Sequence, residues 1–454
     1  MKIDLTRKRA LVVGLARSGV AAARLLLSRG AWVQVADRRS EDELGPEARA
    51  LAEKGVRFEL GPHREDVFSA CDLMVVSPGV PLLLPQIQAA KAKGVQVIAE
   101  VELASWFLQG TLLSVTGTNG KSTVTALTAC LCETAGFRTF AGGNLGRPLC
   151  EAVLDGRAWE FVVVELSSYQ LEGIDTLHPK VACVTNLTPD HIDRYPSHEA
   201  YGAAKKRIFM NQTAADFGVV NARDPATLKM VQGERCTAYT FGFGPHAARA
   251  ARWDGSAIVA SIDGREERYL LRNRALRGDH NIENAMVALL EARLGGVPEG
   301  RIQAGLDAYP GLAHRIESAG TVGGVEYVND SKATNVDSTL VALKTFPRDL
   351  WLIAGGRGKG TPYAPMVELS RGRVKGVLAI GEDAEIIAKA YEGVVEVFQC
   401  QDLEGAIRVA GARAKAGDVV LLSPACASFD QFKNFEERGE RFKALVRQLA
   451  GRGA

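Results

Sequence analysis

The sequence predicts an α/β protein made of three successive parallel-sheet units, and three observations predict it. Short apolar runs alternate with helical patterns along most of the chain. The alternation starts afresh near residue 111 and again after Pro310. The length of 454 residues also fits about three domains, at roughly 100–200 residues each.

In the first unit RALVVGL (9–15) reads as a strand, SGVAAARLLLSRG (18–30) as a helix closed by Gly30, and AWVQVAD (31–37) as a second strand. CDLMVVSPG (71–79) and VQVIAE (95–100) continue the pattern, which ends near residue 110. In the second unit TLLSVTG (111–117) is a strand and KSTVTALTACLCETAG (121–136) a helix with a glycine stop. EFVVVELSS (160–168) and KVACVTNL (180–187) are strands of the buried type. Between residues 245 and 275, DG turns and alternation predict an antiparallel excursion. NIENAMVALLEARLGG (281–296) predicts a helix with a clear C-terminal stop. In the third unit VEYVND (325–330), DLWLIAGG (349–356), VKGVLAIG (374–381) and DVVLLSPA (418–425) read as parallel strands between helices.

Composition narrows the function. The chain is 46% hydrophobic and 24% charged, ordinary for a globular protein. Its 55 basic and 53 acidic residues leave a net charge of +2, which points to neither a nucleic-acid track nor an anionic membrane partner. No stretch approaches 18 uninterrupted apolar residues, so no transmembrane helix is expected. The start, MKIDLTRKRALVVG, runs into a strand without signal-peptide anatomy. The eight cysteines (71, 130, 132, 150, 183, 236, 400 and 426) form no CxxC pair and mostly sit in apolar runs. Buried free thiols in a reducing cytoplasm are the expectation, rather than a zinc site or a disulfide framework.

The sharpest local signal is SVTGTNGKSTVTALTA (114–129), a strand, a Gly-rich turn and a helix opening on Lys121-Ser122-Thr123. Glycines let backbone N–H groups face a polyphosphate, and the helix N-terminus adds positive potential. Lys121 can reach the β/γ-phosphates, and the Ser122 hydroxyl can ligate Mg²⁺. The loop is a short variant, since GxxxxGK[ST] would need a glycine where Val115 stands. A second metal oxygen is expected from Glu165, which ends FVVVE at the ligand edge of the sheet. GLARSG (14–19), with Asp37 after the next strand, invites a dinucleotide reading, but Ala16 replaces the middle glycine of the fingerprint.

Several runs together resemble a known family. TGTNGKST (116–123), GGNLG (142–146), ELSSYQLE (165–172), TNLTPDHIDRY (185–195), YGAAKKRI (201–208), GDHNIENAMVA (278–288), AHRIE (313–317) and NDSKATN (329–335) follow the order and spacing of the ATP-dependent Mur ligases of peptidoglycan synthesis. Within that family NDSKATNVDST, GGRGKG (355–360) and SPACASFDQFKNFEERG (423–439) resemble the branch that joins D-glutamate to UDP-N-acetylmuramoyl-L-alanine. The resemblance implies an N-terminal Rossmann-like domain (1–110) for the UDP substrate. It implies a central P-loop ATPase-like domain (111–313) and a C-terminal Rossmann-like domain (314–454) that binds D-glutamate and closes on ATP. It also implies ATP, two Mg²⁺ ions and an acyl-phosphate intermediate; a monomer is the expected assembly.

Site residues follow by position. Gly117, Thr118, Asn119, Gly120, Lys121, Ser122 and Thr123 would hold the ATP phosphates, with Ser122 and Glu165 on one Mg²⁺. His191 would serve the second Mg²⁺ and the substrate, and Lys205 would join that metal as a carbamate. Lys121, His191 and Lys205 are the implied catalytic residues. Asn281 and Asn284, three apart on a helix, would lie near the base, although Asn281 could instead cap the helix. Arg315, Asp330 and Lys332 would meet ATP from the third domain. Leu15, Ala16, Asp37, Arg38, Ser77, Pro78, Gly79 and Asn144 would bind the muramoyl substrate, and Thr334, Lys359, Ser428 and Phe435 would grip D-glutamate. Rival readings are another amide ligase such as a folylpolyglutamate synthase, an NAD-dependent oxidoreductase, and a nucleotide-gated switch.

Overall fold

The structure is a computed structural model and describes residues 3–144, 146–188, 194–244 and 248–452. Its first sheet holds five parallel strands: β1 (Arg9–Val13), β2 (Trp32–Asp37), β3 (Arg57–Leu60), β4 (Leu73–Val76) and β5 (Gln96–Ala99), in the order β3-β2-β1-β4-β5. The winding reverses at β1, so the turn after it opens at a crevice suited to ligands. The helix Arg17–Ser28 buries Ala21, Ala22, Ala23, Leu25 and Leu26. Its run of alanines keeps that face flat, and Gly30 turns the chain out with φ 77°.

The second sheet has nine strands: β6 (Thr111–Thr116), β7 (Thr139–Gly143), β8 (Phe161–Glu165), β9 (Val181–Val184), β10 (Phe217–Asn221), β11 (Thr237–Phe243), β12 (Ala250–Trp253), β13 (Ala257–Ile262) and β14 (Arg265–Leu270). Their order is β14-β13-β12-β11-β10-β9-β6-β8-β7. Strands β7 to β12 and β6 pair in parallel, and β12, β13 and β14 form the expected antiparallel excursion. The switch point falls between β8 and β9, on either side of β6, and the phosphate loop leaves β6 there.

The first two sheets belong to one compact unit, Met1–Arg272 with His280–Tyr309. The helix Glu100–Ser105, which follows β5, joins them through two fully buried glutamates. The Glu102 carboxylate accepts hydrogen bonds from the backbone N–H of Asp175, Thr176 and Leu177, the Thr176 hydroxyl and the Trp106 indole, at 2.5–3.0 Å. One Glu100 oxygen accepts the Cys150 N–H at 2.6 Å. Burial pushes the Glu100 carboxyl up to about 7, against the lowering effect of that bond.

The second compact unit is Asn273–Asp279 with Pro310–Ala454. Its sheet holds β15 (Glu317–Val322), β16 (Val325–Asn329), β17 (Leu350–Gly355), β18 (Val374–Ile380), β19 (Glu396–Gln401) and β20 (Val419–Leu422), ordered β15-β16-β20-β17-β18-β19. All pairings are parallel except β15 with β16. No described helix is long and apolar enough to cross a membrane. All eight cysteines are unpaired thiols, six buried and Cys130 and Cys236 half-buried.

Candidate functional site

The phosphate loop connects β6 to the helix Lys121–Thr134, and its shape depends on two left-handed glycines, Gly117 (φ 135°) and Gly120 (φ 85°). A Cβ at Gly117 would collide with the Thr185 hydroxyl, and one at Gly120 with the Asn284 amide oxygen. The first N–H groups of an α-helix have no carbonyl within the helix to bond, which suits the start of this one to an anion. Lys121 folds back there, its Nζ donating to the Thr118 carbonyl at 2.7 Å.

The end of β8 completes this mouth. The Ser122 hydroxyl donates to one Glu165 oxygen at 2.7 Å, and the Asn144 side chain donates to the other at 2.8 Å. Glu165 is buried, and two other sequence-predicted residues, Ser122 and Asn144, converge on its carboxylate. Lys205 reaches the loop from the helix His198–Lys206, with Nζ donating to the Gly117 carbonyl at 2.8 Å and lying 4.5 Å over the Tyr201 ring. Asn281 and Asn284 are buried and touch, Nδ2 of Asn284 donating to Oδ1 of Asn281 at 3.2 Å. The helix starts at Asp279, so Asn281 lies inside it, and the capping alternative is corrected. His191 lies outside the described residues.

At the switch point of the first sheet, Gly14 turns with φ 88°, and the Ser77 hydroxyl donates to its carbonyl at 2.8 Å. Ala16 stands at the N-cap of the next helix. Asp37 accepts the Leu15 N–H at 2.7 Å and a two-pronged pair from the Arg39 guanidinium at 2.8 and 3.0 Å. Burial pushes Asp37 up, but the bonds from Arg39 and Leu15 outweigh it and hold the carboxyl at about 2. Arg38 is exposed, so Arg39, which the sequence reading passed over, is the arginine that fixes Asp37. Pro78 and Gly79 complete the turn after β4, where the Pro78 carbonyl lies 3.5 Å from Arg194.

In the second compact unit Asp330 follows β16 and is buried. The Ser423 hydroxyl donates to it at 2.8 Å and the Ile316 N–H at 3.3 Å. Burial raises its carboxyl to about 7, more than those bonds and the Arg315 charge lower it. Ser428 is buried, Lys332 lies 5.7 Å from the Phe435 ring centre, and Lys359 is exposed in its Gly-rich turn. Thr334 sits half-buried one residue before the Asn335 cap of the helix Val336–Thr345. These runs are tied together by Arg438, absent from the sequence reading. Its guanidinium donates to the Ser331 hydroxyl and carbonyl and to the Cys426 carbonyl at 2.9–3.1 Å. Ser331 in turn donates to the Phe435 carbonyl at 2.8 Å.

Comparison with known proteins gives this geometry a family. The Mur ligase MurD-like N-terminal domain matches residues 8–99, the Mur ligase middle domain 115–292, and the Mur ligase glutamate ligase domain 314–426. The chain belongs to the Mur ligase family. This Mur ligase is similar to UDP-N-acetylmuramoylalanine–D-glutamate ligases of two bacteria. The one from Myxococcus xanthus (strain DK1622) is 56% identical over 455 residues, covering 99% of this chain and 100% of the relative. The one from Anaeromyxobacter dehalogenans (strain 2CP-C) is 53% identical over 459 residues, covering 98% and 99%. Among solved structures, a pseudomurein peptide ligase type C from Methanothermus fervidus superposes with TM-score 0.58 at 18% identity, covering 98% of this chain and 100% of that one. A UDP-N-acetylmuramate-alanine ligase from Thermotoga maritima gives 0.57 at 18%, covering 97% and 100%. At that identity both speak for the fold, and this Mur ligase has the family's three-domain α/β fold.

Proposed function

We propose that this Mur ligase joins D-glutamate to UDP-N-acetylmuramoyl-L-alanine in peptidoglycan precursor synthesis, splitting ATP to ADP and phosphate. The observation that carries the reading is the Ser122–Glu165 pair at the mouth of the phosphate loop, in a chain similar end to end to ligases of that name. The substrate carboxylate attacks the γ-phosphate, the bond to the β,γ-bridging oxygen breaks, and an acyl phosphate forms as ADP leaves. The amine of D-glutamate then attacks the acyl carbon, and phosphate leaves. Such chemistry depends on positioning and charge neutralisation more than on a covalent catalyst.

The chain's residues divide the work. Gly117 to Thr123 cradle the phosphates, with Lys121 swinging from the Thr118 carbonyl to the β/γ-phosphates. Ser122 and Glu165 offer a hydroxyl and a carboxylate 2.7 Å apart, a hard-oxygen pair that fits Mg²⁺. When bound, the ion neutralises phosphate charge. A second Mg²⁺ would fall to His191 and to Lys205 as a carbamate, formed when the deprotonated Nζ amine adds to CO₂ and gives up a further proton, so that a buried cation becomes a two-oxygen anion beside the loop. Asn281 and Asn284 border the base. Arg315, Asp330 and Lys332 serve ATP, and Thr334, Lys359, Ser428 and Phe435 serve D-glutamate. Leu15, Ala16, Asp37, Arg38, Ser77, Pro78, Gly79 and Asn144 serve the muramoyl substrate. We set the domain boundaries at residues 110 and 313, within the gaps between the matched family domains. The nucleotide substrates suit a cytoplasmic enzyme, which we take to be a monomer.

The test is phosphate release with ATP, Mg²⁺ and UDP-N-acetylmuramoyl-L-alanine, comparing D-glutamate, L-glutamate, glycine and L-lysine. Release with D-glutamate alone, and a product heavier by one glutamyl residue, is expected. Release with another amine and not D-glutamate would move the chain to a different branch of the family.

A further inference from the structure

We infer that Thr185 and Asn186, in the segment leaving β9, are positioning residues that set the shape of the phosphate loop. The inference rests on the ATP-binding role proposed above and assigns work to two residues which that role does not name.

The loop departs from the longer phosphate-binding pattern, with Val115 where a glycine is usual, and two left-handed glycines leave its backbone few local constraints. The constraints come from across the switch point. The backbone pairs first: Thr185 N–H donates to the Thr116 carbonyl, and Thr118 N–H to the Asn186 carbonyl, each at 3.0 Å. The Asn186 side chain then grips both polar groups of Asn119. Its Oδ1 accepts the Asn119 N–H at 2.9 Å, and its Nδ2 donates to the Asn119 carbonyl at 3.1 Å. The Thr185 hydroxyl donates to the same carbonyl at 2.7 Å. Thr188 closes the strap with reciprocal 3.1 Å bonds to the Thr118 hydroxyl.

The consequence follows from peptide planarity. In a trans peptide the C=O of one residue and the N–H of the next point opposite ways. Two donors hold the Asn119 carbonyl on the strap, so the Gly120 N–H is turned to the side away from it. An N–H aimed before the anion arrives costs no reorganisation when it binds. Thr185 also fills the space over Gly117, where a Cβ would strike its hydroxyl. At 3% exposure it is a fixed wall.

The experiment measures binding of MgADP by titration calorimetry, with UDP-N-acetylmuramoyl-L-alanine as a second ligand. Thr185→Val keeps the shape and loses the hydroxyl, and Thr185→Ser keeps the hydroxyl. Asn186→Asp keeps the acceptor for Asn119 N–H but sets an anionic oxygen against the Asn119 carbonyl. We expect Thr185→Val and Asn186→Asp to weaken MgADP by about 10- to 100-fold. Thr185→Ser should stay within about threefold, and all three should bind the muramoyl substrate nearly as the parent does. MgADP affinity unchanged in Thr185→Val and Asn186→Asp would overturn the inference. So would equal losses for both ligands, which mark a general folding defect. If Asn186→Asp does not fold, the Val and Ser pair at 185 decides. Failure of the parent protein to bind MgADP would instead sink the functional reading.

Discussion

Lys205 places a primary amine at 2% exposure, against the Tyr201 ring and the Gly117 carbonyl. If its working form is a carbamate, Lys205→Ala removes an anion and leaves a cavity of carboxylate size. The expected loss of phosphate release is at least about 100-fold, with part returned by added formate, acetate or propionate. Full activity without additive would end the carbamate reading. Asp330 makes a second prediction. Its carboxyl keeps its proton to about pH 7, whereas an unfolded chain releases it near 3.9. Stability is therefore highest below about pH 4 on this account, and falls as pH rises through about 7. Asp330→Asn removes that penalty, so its melting temperature should gain on the parent between pH 5 and pH 8. A constant gap would show that Asp330 does not titrate there. Residues like these show how much of the site was legible. Lys121, Ser122 and Glu165 belong to a contiguous pattern or to a strand end, and their chemistry follows from position. Arg39 and Arg438 were not legible. One differs from its exposed neighbour only by direction, and the other acts through carbonyls that no motif records.

At the scale of elements, the helices Lys121–Thr134 and Asp279–Gly295 carry the phosphate and asparagine residues, and an unusual acid lies between them. Glu291 is fully buried, and neither of its carboxyl oxygens has a hydrogen-bond partner of good geometry among the described residues. Burial raises its carboxyl well above the ordinary range, although the Thr128 hydroxyl acts the other way. Glu291→Leu removes an unpartnered polar group of similar size. It should stabilise the protein by about 1–2 kcal/mol at pH 7 in urea unfolding, with more gain in alkali. A loss of stability would mean that buried water partners the acid. The helices and central strands were legible because apolar runs and glycine stops mark them. Strands β3, β7, β10, β11, β15 and β19 were not. RFEL and EVFQCQ carry too few apolar residues to stand out, and they lie beside or at sheet edges where only neighbours define them.

For the molecule as a whole, two compact units imply separate cooperative transitions on heating, and the contents of each are testable. Three parallel units in series suggest three independent melting bodies, yet the first two sheets share one unit. Glu102 supplies a reason. Its carboxylate satisfies the backbone N–H groups of Asp175, Thr176 and Leu177 together with the Trp106 indole, and all of them would lose a partner at once. A buried donor left unpaired costs about 1–3 kcal/mol; Leu177 is buried and Trp106 half-buried, whereas Asp175 and Thr176 are exposed and can turn to water. Glu102→Ala should therefore destabilise the larger unit by about 2–4 kcal/mol, and leave the transition of Asn273–Asp279 with Pro310–Ala454 in place. Glu102→Gln should fall between, because its amide nitrogen faces N–H donors it cannot accept. Calorimetry decides the matter. A split of the larger unit's transition in Glu102→Ala would show that this carboxylate makes the first two sheets one body. An unchanged profile would move that role to the Glu100–Cys150 contact or to the Ala99–Gly173 bond at 2.8 Å.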